Sequence, residues 1–481
     1  MGAALGTPDN PLRVAVVGSG PSGFYAAEHL QSRQDVVVQV DMYDRLPTPF
    51  GLVRGGVAPD HQKIKSVTRV YDKIAAHPEF RFYGNVELGR DLVREDLAAY
   101  YHATIYAVGA RADRRMGIPR EHLPGSHSAT EFVGWYNAHP DYRSLSFDLS
   151  GQRVAVVGNG NVAMDLARIL ASSPEDLAST DIAEHALEAL SRSGIREIHV
   201  LGRRGPAQAS FTNKELRELC ELPDCDVRLA SDALELDPVT REEIGAEADR
   251  NRDRNLESLV ELAGRPRSSA SKEIVLHFLA SPVEIVGQER VEALRVVDNE
   301  LYRGEDGSVR AQAAGEPRTL AVDLVFRAIG YHGMPLPSVP FDALGGVIPN
   351  ERGRVIDPAA GAPTGGEYVA GWIKRGPRGI IGTNKPDSQE TVEALFEDLE
   401  AGQLNKDEVP PRGVLERLIR QRRQDFVSYA DWQLIDLLEQ ERGRSAGERP
   451  RLKFSAVEEM LSALHEHKGD DAGGSERPGG G

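Results

Sequence analysis

Two glycine-rich turns in matching surroundings constrain this chain more than any other feature. Residues 12–30 read LRVAVVGSGPSGFYAAEHL and residues 152–170 read QRVAVVGNGNVAMDLARIL, so one pattern recurs about 140 residues later. Each copy has an apolar run before the glycines and a helix-forming stretch after them, the order of a β-turn-α unit. Two such units at this separation predict two doubly wound dinucleotide folds rather than a short-period repeat.

The first turn has the spacing G-x-G-x-x-G. Gly18 permits the tight turn, Gly20 lets backbone approach a pyrophosphate, and Gly23 lets the helix pack on the strand. The helix N-terminus then offers free N–H groups to the phosphates. Asp44 follows Gly23 at the distance from which an acid reaches the ribose hydroxyls, with Asp41 nearby. The alternative for Asp44 is a solvated acid at the end of a strand.

The second turn has the variant G-x-G-x-x-A, from Gly158 to Ala163. The strand that follows it, EIHVLG, ends in Arg203 and Arg204 instead of an acid. An acid at this position repels a 2′-phosphate, whereas arginines bind it. The second site is therefore predicted to hold NADP(H) rather than NAD(H), although two solvated turn arginines are the alternative interpretation.

Charge and cysteine content restrict partners and compartment. The formal net charge of −17 argues against nonspecific binding to nucleic acid or anionic lipid. No apolar run reaches the length of a membrane span, and the N-terminus lacks a signal-peptide pattern. Cys220 and Cys225 form neither a C-x-x-C pair nor a disulfide framework. We therefore expect a cytoplasmic protein without membrane insertion.

Longer motifs resemble the ferredoxin–NADP reductases of the adrenodoxin-reductase type, most closely their actinobacterial members. The matching segments run in family order from Leu12 to about Leu464, and include PFGLVRGGVAPDHQKIK (49–65), GRRGPAQASFTNKELREL (202–219) and YVAGWIKRGPRGIIGTNKPDSQETV (368–392). The resemblance implies an α/β fold of two Rossmann-like domains, with the NADP domain inserted into the FAD domain. We expect an FAD part at 1–113, the NADP domain at 114–334, and a second FAD part at 335–481 that ends in helices and a disordered Gly-rich tail.

The resemblance also implies cofactors and site residues, with FAD in the first site, NADP(H) in the second and no metal. The implied contacts to FAD, beside the glycines of the first turn, come from Ser22, Asp44, Leu52, Val86, Trp372, Gly379, Ile380 and Ile381. Many relatives have Glu at position 44, so the shorter Asp44 implies a looser or water-bridged ribose contact. The implied contacts to NADP come from Asn159, Gly160, Asn161, Val162, Arg203, Arg204, Glu215 and Gly379.

His61 and Glu218 match family positions near the nicotinamide. They are candidate catalytic residues, acting as an acid/base or polar pair; a hydrogen-bonded loop histidine and a surface glutamate are the alternative. The stretch GPRGIIGTN (376–384) is expected to open a helix whose N-terminus stabilises charge on reduced flavin.

The implied partner is a ferredoxin, an acidic iron–sulfur protein, with cytochromes P450 as candidate recipients beyond it. Docking between two acidic proteins requires a local basic patch, for which Lys374, Arg375 and Arg378 are the first choice, and Arg111, Arg114 and Arg115 the second. Competing functions are a flavin monooxygenase, a general diaphorase, a disulfide reductase, and a subunit that binds nucleotides only for structure. A disulfide reductase would need the missing redox cysteine pair, and an electron-input subunit of a larger synthase would need cysteine clusters.

Overall fold

The computed structural model describes residues 4–230, 234–246, 248–404 and 408–473. The chain starts with a β-α-β unit whose strands are buried on both faces, as parallel strands covered by helices are. Its first segment contains β1 Leu12–Val17, α1 Pro21–Ser32, β2 Val38–Tyr43, α2 Leu52–Gly55, α3 Gln62–Lys65, α4 Thr68–Ala75, β3 Phe80–Tyr83, α5 Arg94–Tyr100 and β4 Ala103–Tyr106.

The chain then leaves this sheet and builds a second one before it returns. The inserted segment contains β5 Ala112–Asp113, β6 Ser126–Ser128, α6 Ala129–Tyr136, β7 Arg153–Val157, α7 Asn161–Ala171, α8 Pro174–Ala178, α9 Glu184–Ser191, β8 Glu197–Leu201, α10 Asn213–Cys220, β9 Cys225–Leu229, α11 Pro238–Ala246, α12 Arg250–Ala263, β10 Lys272–His277, β11 Ala280–Val286, β12 Ala293–Arg303, β13 Val309–Ala321, β14 Leu324–Arg327 and β15 Tyr331–His332.

The returning segment completes the first sheet and adds a helical C-terminal part. It contains β16 Asn350–Glu351, β17 Arg354–Asp357, β18 Ala362–Val369, α13 Trp372–Arg375, α14 Asn384–Glu400, α15 Arg412–Arg422, α16 Tyr429–Ser445 and α17 Val457–Gly473. The predicted disordered tail begins at Gly469; its first residues continue α17, and 474–481 lie outside the described residues.

Two main sheets result, and they confirm the predicted fold class; the insert also contains a three-stranded antiparallel sheet in the order β11-β12-β13. The first has the order β16-β17-β18-β4-β1-β2-β3, with parallel pairing from β18 to β3. The second has the order β6-β14-β7-β8-β10-β9 and is parallel throughout. Strands β5 and β15, where the chain leaves and re-enters, pair with each other. In both sheets a glycine turn follows a strand at which the order reverses, where such folds bind ligands.

Candidate functional site

The first glycine turn presents bare backbone to a cavity. Gly18 has φ of +108°, and a Cβ there would lie 2.5 Å from the carbonyl oxygen of Ala107. A Cβ on Gly23 would lie 2.1 Å from the oxygen of Gly18, so only glycine allows α1 to pack this closely. A Cβ on Gly20 would meet no protein atom within 4 Å. The open space over Gly20, at the N-terminus of α1, fits a pyrophosphate.

Asp44 lies where the sequence predicted it, directly after β2. Its Oδ2 accepts hydrogen bonds from the backbone N–H and the hydroxyl of Ser19, at 3.1 and 2.5 Å, and its Oδ1 accepts one from the N–H of Leu46 at 2.9 Å. The carboxylate therefore braces the glycine turn, and it also lines the cavity. Asp41, the other acid considered, is buried against Tyr101 and Arg412 and does not line the cavity.

One cavity of about 1010 Å³ extends from the first glycine turn to the inserted domain. It gathers most of the predicted site residues, namely Gly18, Gly20, Ser22, Asp44, Leu52, His61, Val86, Asn161, Val162, Glu215, Trp372, Gly379, Ile380 and Ile381. The predicted residues that do not line it are Gly23, Asn159, Gly160, Arg203, Arg204 and Glu218. Gly23 packs behind the turn, and Glu218 reaches the cavity wall through its bond to His61.

The second glycine turn repeats the first in structure. Gly158 has φ of +128°, and a Cβ there would lie 2.2 Å from the carbonyl oxygen of Ala328. The side chain of Asn161 accepts a hydrogen bond from the N–H of Thr212 at 2.8 Å and so fixes the loop before α10. The buried Nδ2 of Asn159 has no hydrogen-bond partner among the described residues. A donor held ready beside this turn fits a nucleotide acceptor.

Arg203 and Arg204 follow β8, at the edge of the second sheet where the glycine turn lies. Their carbonyl oxygens accept bonds from Asn299 Nδ2 at 2.7 Å and from the N–H of Leu279 at 3.0 Å, which fix the backbone. Within the described ranges, neither guanidinium has an ion-pair partner. Burial, together with the charge of Arg203, lowers the pKa of Arg204. This pair of cations is suited to a dianionic phosphate.

A buried polar cluster joins the first segment to the insert at the cavity. His61 Nε2 lies 2.8 Å from Glu218 Oε2, which brings the two candidate catalytic residues into direct contact. Glu215 Oε2 lies 3.9 Å from the same nitrogen. Burial and the charge of Asp165 raise the pKa of Glu215 to about 7. Burial would also raise the pKa of Glu218, but the hydrogen bond from Lys214 and the charge of His61 hold it below its usual value.

Arg168 also belongs to this cluster, although the sequence did not predict it as a site residue. It donates to both carboxylate oxygens of Asp60 in the first segment, at 2.7 and 2.9 Å, and to Asp165 at 2.8 Å. Although His61, Asp165 and Glu215 bring three possible metal ligands within 4.8 Å of one another, Arg168 already neutralises Asp165, and we assign no metal. A second missed pair, Arg45 with Asp141, also crosses from the first segment to the insert.

The returning segment supplies the remaining wall. Strand β18 ends at Val369, and Gly371, with φ of +79°, turns the chain into a helix that begins at Trp372. A Cβ on Gly371 would lie 2.0 Å from Ser22 Oγ. Gly379, Ile380 and Ile381 then lead into α14, as the sequence predicted.

Two of the three residues in the first-choice basic patch are neutralised by acids of the same segment. Lys374 is buried, with its ammonium 2.6 Å from Glu390, and Arg375 lies 3.1 Å from Asp387. The sequence shows these two positive charges but not the acids that pair with them in the fold. Arg378 is exposed. In the second choice, Arg111, Arg114 and Arg115 are all exposed, and Arg111 also lines the cavity.

The two cysteines lie away from the cavity. Neither Cys220 nor Cys225 is among the described residues that line it. Burial raises the pKa of Cys225 to about 12, so its thiol stays protonated and unreactive. Among the described residues that line this cavity, none can take part in thiol–disulfide exchange.

A dinucleotide turn that lines the cavity, and a second one whose helix α7 reaches the same cavity through Asn161 and Val162, define a pyridine-nucleotide-dependent oxidoreductase. A family model described as pyridine nucleotide-disulphide oxidoreductase matches residues 12–218. The NADPH-ferredoxin reductase FprA of Mycobacterium tuberculosis is 46% identical, over 94% of this chain and 98% of its own. The mitochondrial NADPH:adrenodoxin oxidoreductase of Salvelinus fontinalis is 41% identical, over 96% and 92%. The chain belongs to the ferredoxin–NADP reductases of the adrenodoxin-reductase type.

Solved structures agree with this assignment. The structure of Mycobacterium tuberculosis FprA in complex with NADPH has a TM-score of 0.89 at 45% identity, and the match covers 95% of this chain and 100% of that one. The cofactors of this family, FAD and NADP(H), fit the open turn at Gly20 and the free donor at Asn159. Among the described residues, no helix has the length and apolar character needed to cross a membrane.

Proposed function

We propose that this protein passes electrons from NADPH, through bound FAD, to a ferredoxin. The observation that carries the proposal is the shared cavity, because it is lined by the first glycine turn and also by Asn161 and Val162 after the second. FAD supplies the exchange between a two-electron hydride donor and a one-electron acceptor. The chain's own residues bind both nucleotides and bring their reactive rings to one place.

The roles of the lining residues follow from their positions. Gly18, Gly20 and the N-terminus of α1 hold the FAD pyrophosphate, and Asp44 holds the adjacent ribose. Asn159, Asn161 and the two arginines after β8 hold NADP(H). Trp372 closes the flavin end of the cavity, and its indole N–H donates to the carbonyl oxygen of Arg378 at 3.1 Å. Each role is a proposal that substitution can test.

His61 and Glu218 are proposed to position the nicotinamide and to hold a proton between them. Their 2.8 Å contact links the loop before α3 to α10, so the pair also sets the distance between the first segment and the insert. Hydride transfer itself requires no proton at the reacting carbon. A buried imidazole held by a half-buried carboxylate can still orient a polar carboxamide group.

The purified protein is expected to be yellow, with about one FAD per chain, and to be bleached by NADPH far faster than by NADH. Absorbance spectra, mass identification of the released flavin and anaerobic stopped-flow mixing make these measurements. Reduction of cytochrome c should then depend on added ferredoxin. Release of FMN, or of no flavin, would contradict the proposal, and so would a flavin that NADPH leaves oxidised.

We propose a shallow basin beside the cavity as the ferredoxin-binding surface. A hollow of about 620 Å³ between α10 and α12 is lined by four exposed cations, Lys214, Arg217, Arg250 and Arg254, and by two acids, Glu218 and Glu221. Lys214 is paired with Glu218 at 2.9 Å, whereas the three arginines have no ion-pair partner among the described residues. Thr212 and Lys214 line both the basin and the cavity, so an acceptor seated there lies next to the cofactor site. An acidic ferredoxin complements this surface, although the chain as a whole is acidic.

One relative supports a ferredoxin as the partner. A Mycobacterium bovis protein named probable ferredoxin/ferredoxin–NADP reductase is 46% identical over 94% of this chain, and the match covers 76% of its own length. The name of that protein includes both a ferredoxin and a ferredoxin–NADP reductase. Cytochromes P450 are proposed as recipients of electrons from the reduced ferredoxin.

The double substitution Arg250→Glu with Arg254→Glu is expected to raise the KM for an acidic ferredoxin about tenfold at low salt. The difference from the unaltered enzyme should shrink above roughly 0.1 M salt, because the Debye length is then about 10 Å or less. Ferredoxin-dependent reduction of cytochrome c measures the effect, and reduction of ferricyanide, which needs no docked protein, should be unchanged.

Arg303→Glu with Arg310→Glu is the matched control, since it makes the same change of charge on the hairpin of β12 and β13 in the same insert. Equal effects of the two double substitutions would show that net charge, rather than the basin, governs docking. If the substitution of Arg250 and Arg254 leaves the KM for ferredoxin unchanged, the ferredoxin binds elsewhere.

A further inference from the structure

The C-terminal segment 449–455, between α16 and α17, carries two buried cations, Arg449 and Lys453, and bonds residues that line both walls of the cofactor cavity. Arg449 donates to the carbonyl oxygens of Thr180 and Ile182 in the insert, and its guanidinium lies 2.7 Å from Glu184. The N–H groups of Leu452 and Phe454 donate to Glu439 of α16, at 2.8 and 2.9 Å. The segment is thus anchored in the helical C-terminal part and bonded to the insert.

Lys453 is at the centre of this segment, and its side chain is 1% exposed. Its ammonium donates to the carbonyl oxygen of Arg54 at 3.2 Å and to the carbonyl oxygen and Oδ1 of Asn137, both at 3.3 Å. Arg54 and Asn137 both line the cavity, the first from the first segment and the second from the insert. The Lys453 ammonium therefore donates hydrogen bonds to backbone carbonyl groups in both walls of the cavity.

The charge of Lys453 is balanced by Asp181 of the insert, which is shared. Asp181 Oδ2 lies 3.3 Å from Lys453 Nζ, and its Oδ1 lies 2.6 Å from Lys65 Nζ of α3. Burial lowers the pKa of Lys453 and of Lys65, and the charge of Asp181 opposes that change. Three chain segments, each from a different part of the sequence, thus meet at one buried carboxylate.

Arg54 links the same network to α16. Its guanidinium makes two hydrogen bonds to Glu439, at 2.8 and 2.5 Å, and Glu439 is fully buried. Residues 138–140, which follow Asn137, also line the cavity, and Ala138 has φ of +61°. A shift of the 449–455 segment would therefore act on residues that line the cavity in both walls.

We propose that Lys453 is a positioning residue, which holds the insert at the distance from the FAD-binding segments that hydride transfer requires. The inference rests on the proposed function, because it concerns the geometry of that transfer. Hydride transfer is very sensitive to donor–acceptor distance, since reacting atoms must lie about 3–3.5 Å apart. Binding of the adenosine half of NADPH depends on the insert alone, so it should be largely independent of Lys453.

Lys453→Met tests this proposal. Methionine keeps an unbranched apolar stem, and Asp181 retains Lys65 as its partner, so no buried carboxylate is left unpaired. The limiting rate of flavin reduction at saturating NADPH is expected to fall at least tenfold, with the Kd for NADPH changed less than threefold. The nicotinamide–flavin charge-transfer absorbance should weaken in parallel, whereas FAD content and reduction by dithionite should match the unaltered enzyme.

Lys468→Met is the matched control, because this exposed lysine of α17 contacts Asp431 on the same helical part and bonds no cavity residue. If Lys453→Met does not fold, Lys453→Gln, which keeps two N–H donors without the charge, must still lower the limiting rate at least threefold. A fall of less than threefold in the limiting rate, in a folded variant of either kind, overturns the proposal. Failure of the unaltered enzyme to be reduced by NADPH would instead overturn the proposed function.

Discussion

Replacing Arg203 and Arg204 together with alanine is expected to raise the KM for NADPH at least tenfold and to leave the KM for NADH nearly unchanged. The two side chains follow β8. At this position the fold binds a 2′-hydroxyl through an acid or a 2′-phosphate through arginine. A hydrogen bond to a charged group contributes about 1.5–3 kcal/mol. At about 1.4 kcal/mol for each factor of ten, two such bonds exceed a hundredfold before solvent screening reduces them.

Two structural facts strengthen this expectation. Arg203 is exposed and Arg204 half-buried, so the phosphate would be bound at the surface with partial desolvation. Repulsion from Arg203 contributes to the lowered pKa of Arg204, and a bound phosphate would relieve it. Steady-state kinetics with both nucleotides measures the effect.

Arg192→Ala with Arg196→Ala is the control, since these arginines precede the same strand at its opposite end. It should change neither KM. An equal loss of activity with NADPH and NADH in the Arg203/Arg204 variant would show that the arginines act through folding rather than through the phosphate.

The sequence predicted the parts of the site that are local in the chain. The two glycine turns, Asp44 after β2 and the arginines after β8 each depend on spacings within one β-α-β unit, and the fold turns such spacings directly into positions. The structure places each of them at the predicted end of its strand. Local pattern therefore predicted both nucleotide-binding turns.

Contacts between distant segments of the chain could not be predicted from local spacing. Arg168 with Asp60 and Arg45 with Asp141 are separated by 108 and 96 residues. Charged residues at such separations carry no periodic signal, and most of them are solvated. The docking patch shows a related limit at shorter range: nothing in the sequence around Lys374 and Arg375 indicates that Glu390 and Asp387 of α14 neutralise them.

The antiparallel sheet of β11, β12 and β13 shows a different limit. Most residues of β13 are exposed, so the strand lacks the alternation of apolar and polar residues that identifies a half-buried strand. Backbone pairing along β12, rather than burial of side chains, forms this strand.

A matched pair of substitutions should separate the two nucleotide sites. Gly20→Val is expected to yield a folded but colourless protein, with affinity for FAD lowered at least a hundredfold. Gly20 has φ of −77°, which valine adopts, and a Cβ there meets no protein atom within 4 Å. The added side chain would take the space over the N-terminus of α1 that the pyrophosphate needs. Flavin absorbance and circular dichroism measure cofactor content and folding.

Gly160→Val makes the same change in the second turn, where φ is −94° and the nearest atom to a Cβ is Ser210 Cβ at 4.0 Å. This variant should stay yellow and be reduced by dithionite normally, while its KM for NADPH rises at least tenfold, because the obstruction now lies in the NADP(H) site. Gly23→Ala provides the steric contrast: its Cβ would lie 2.1 Å from the oxygen of Gly18, so it should lower stability by about 1–3 kcal/mol. A Gly20→Val protein that keeps a full complement of FAD would show that the pyrophosphate does not cross this turn.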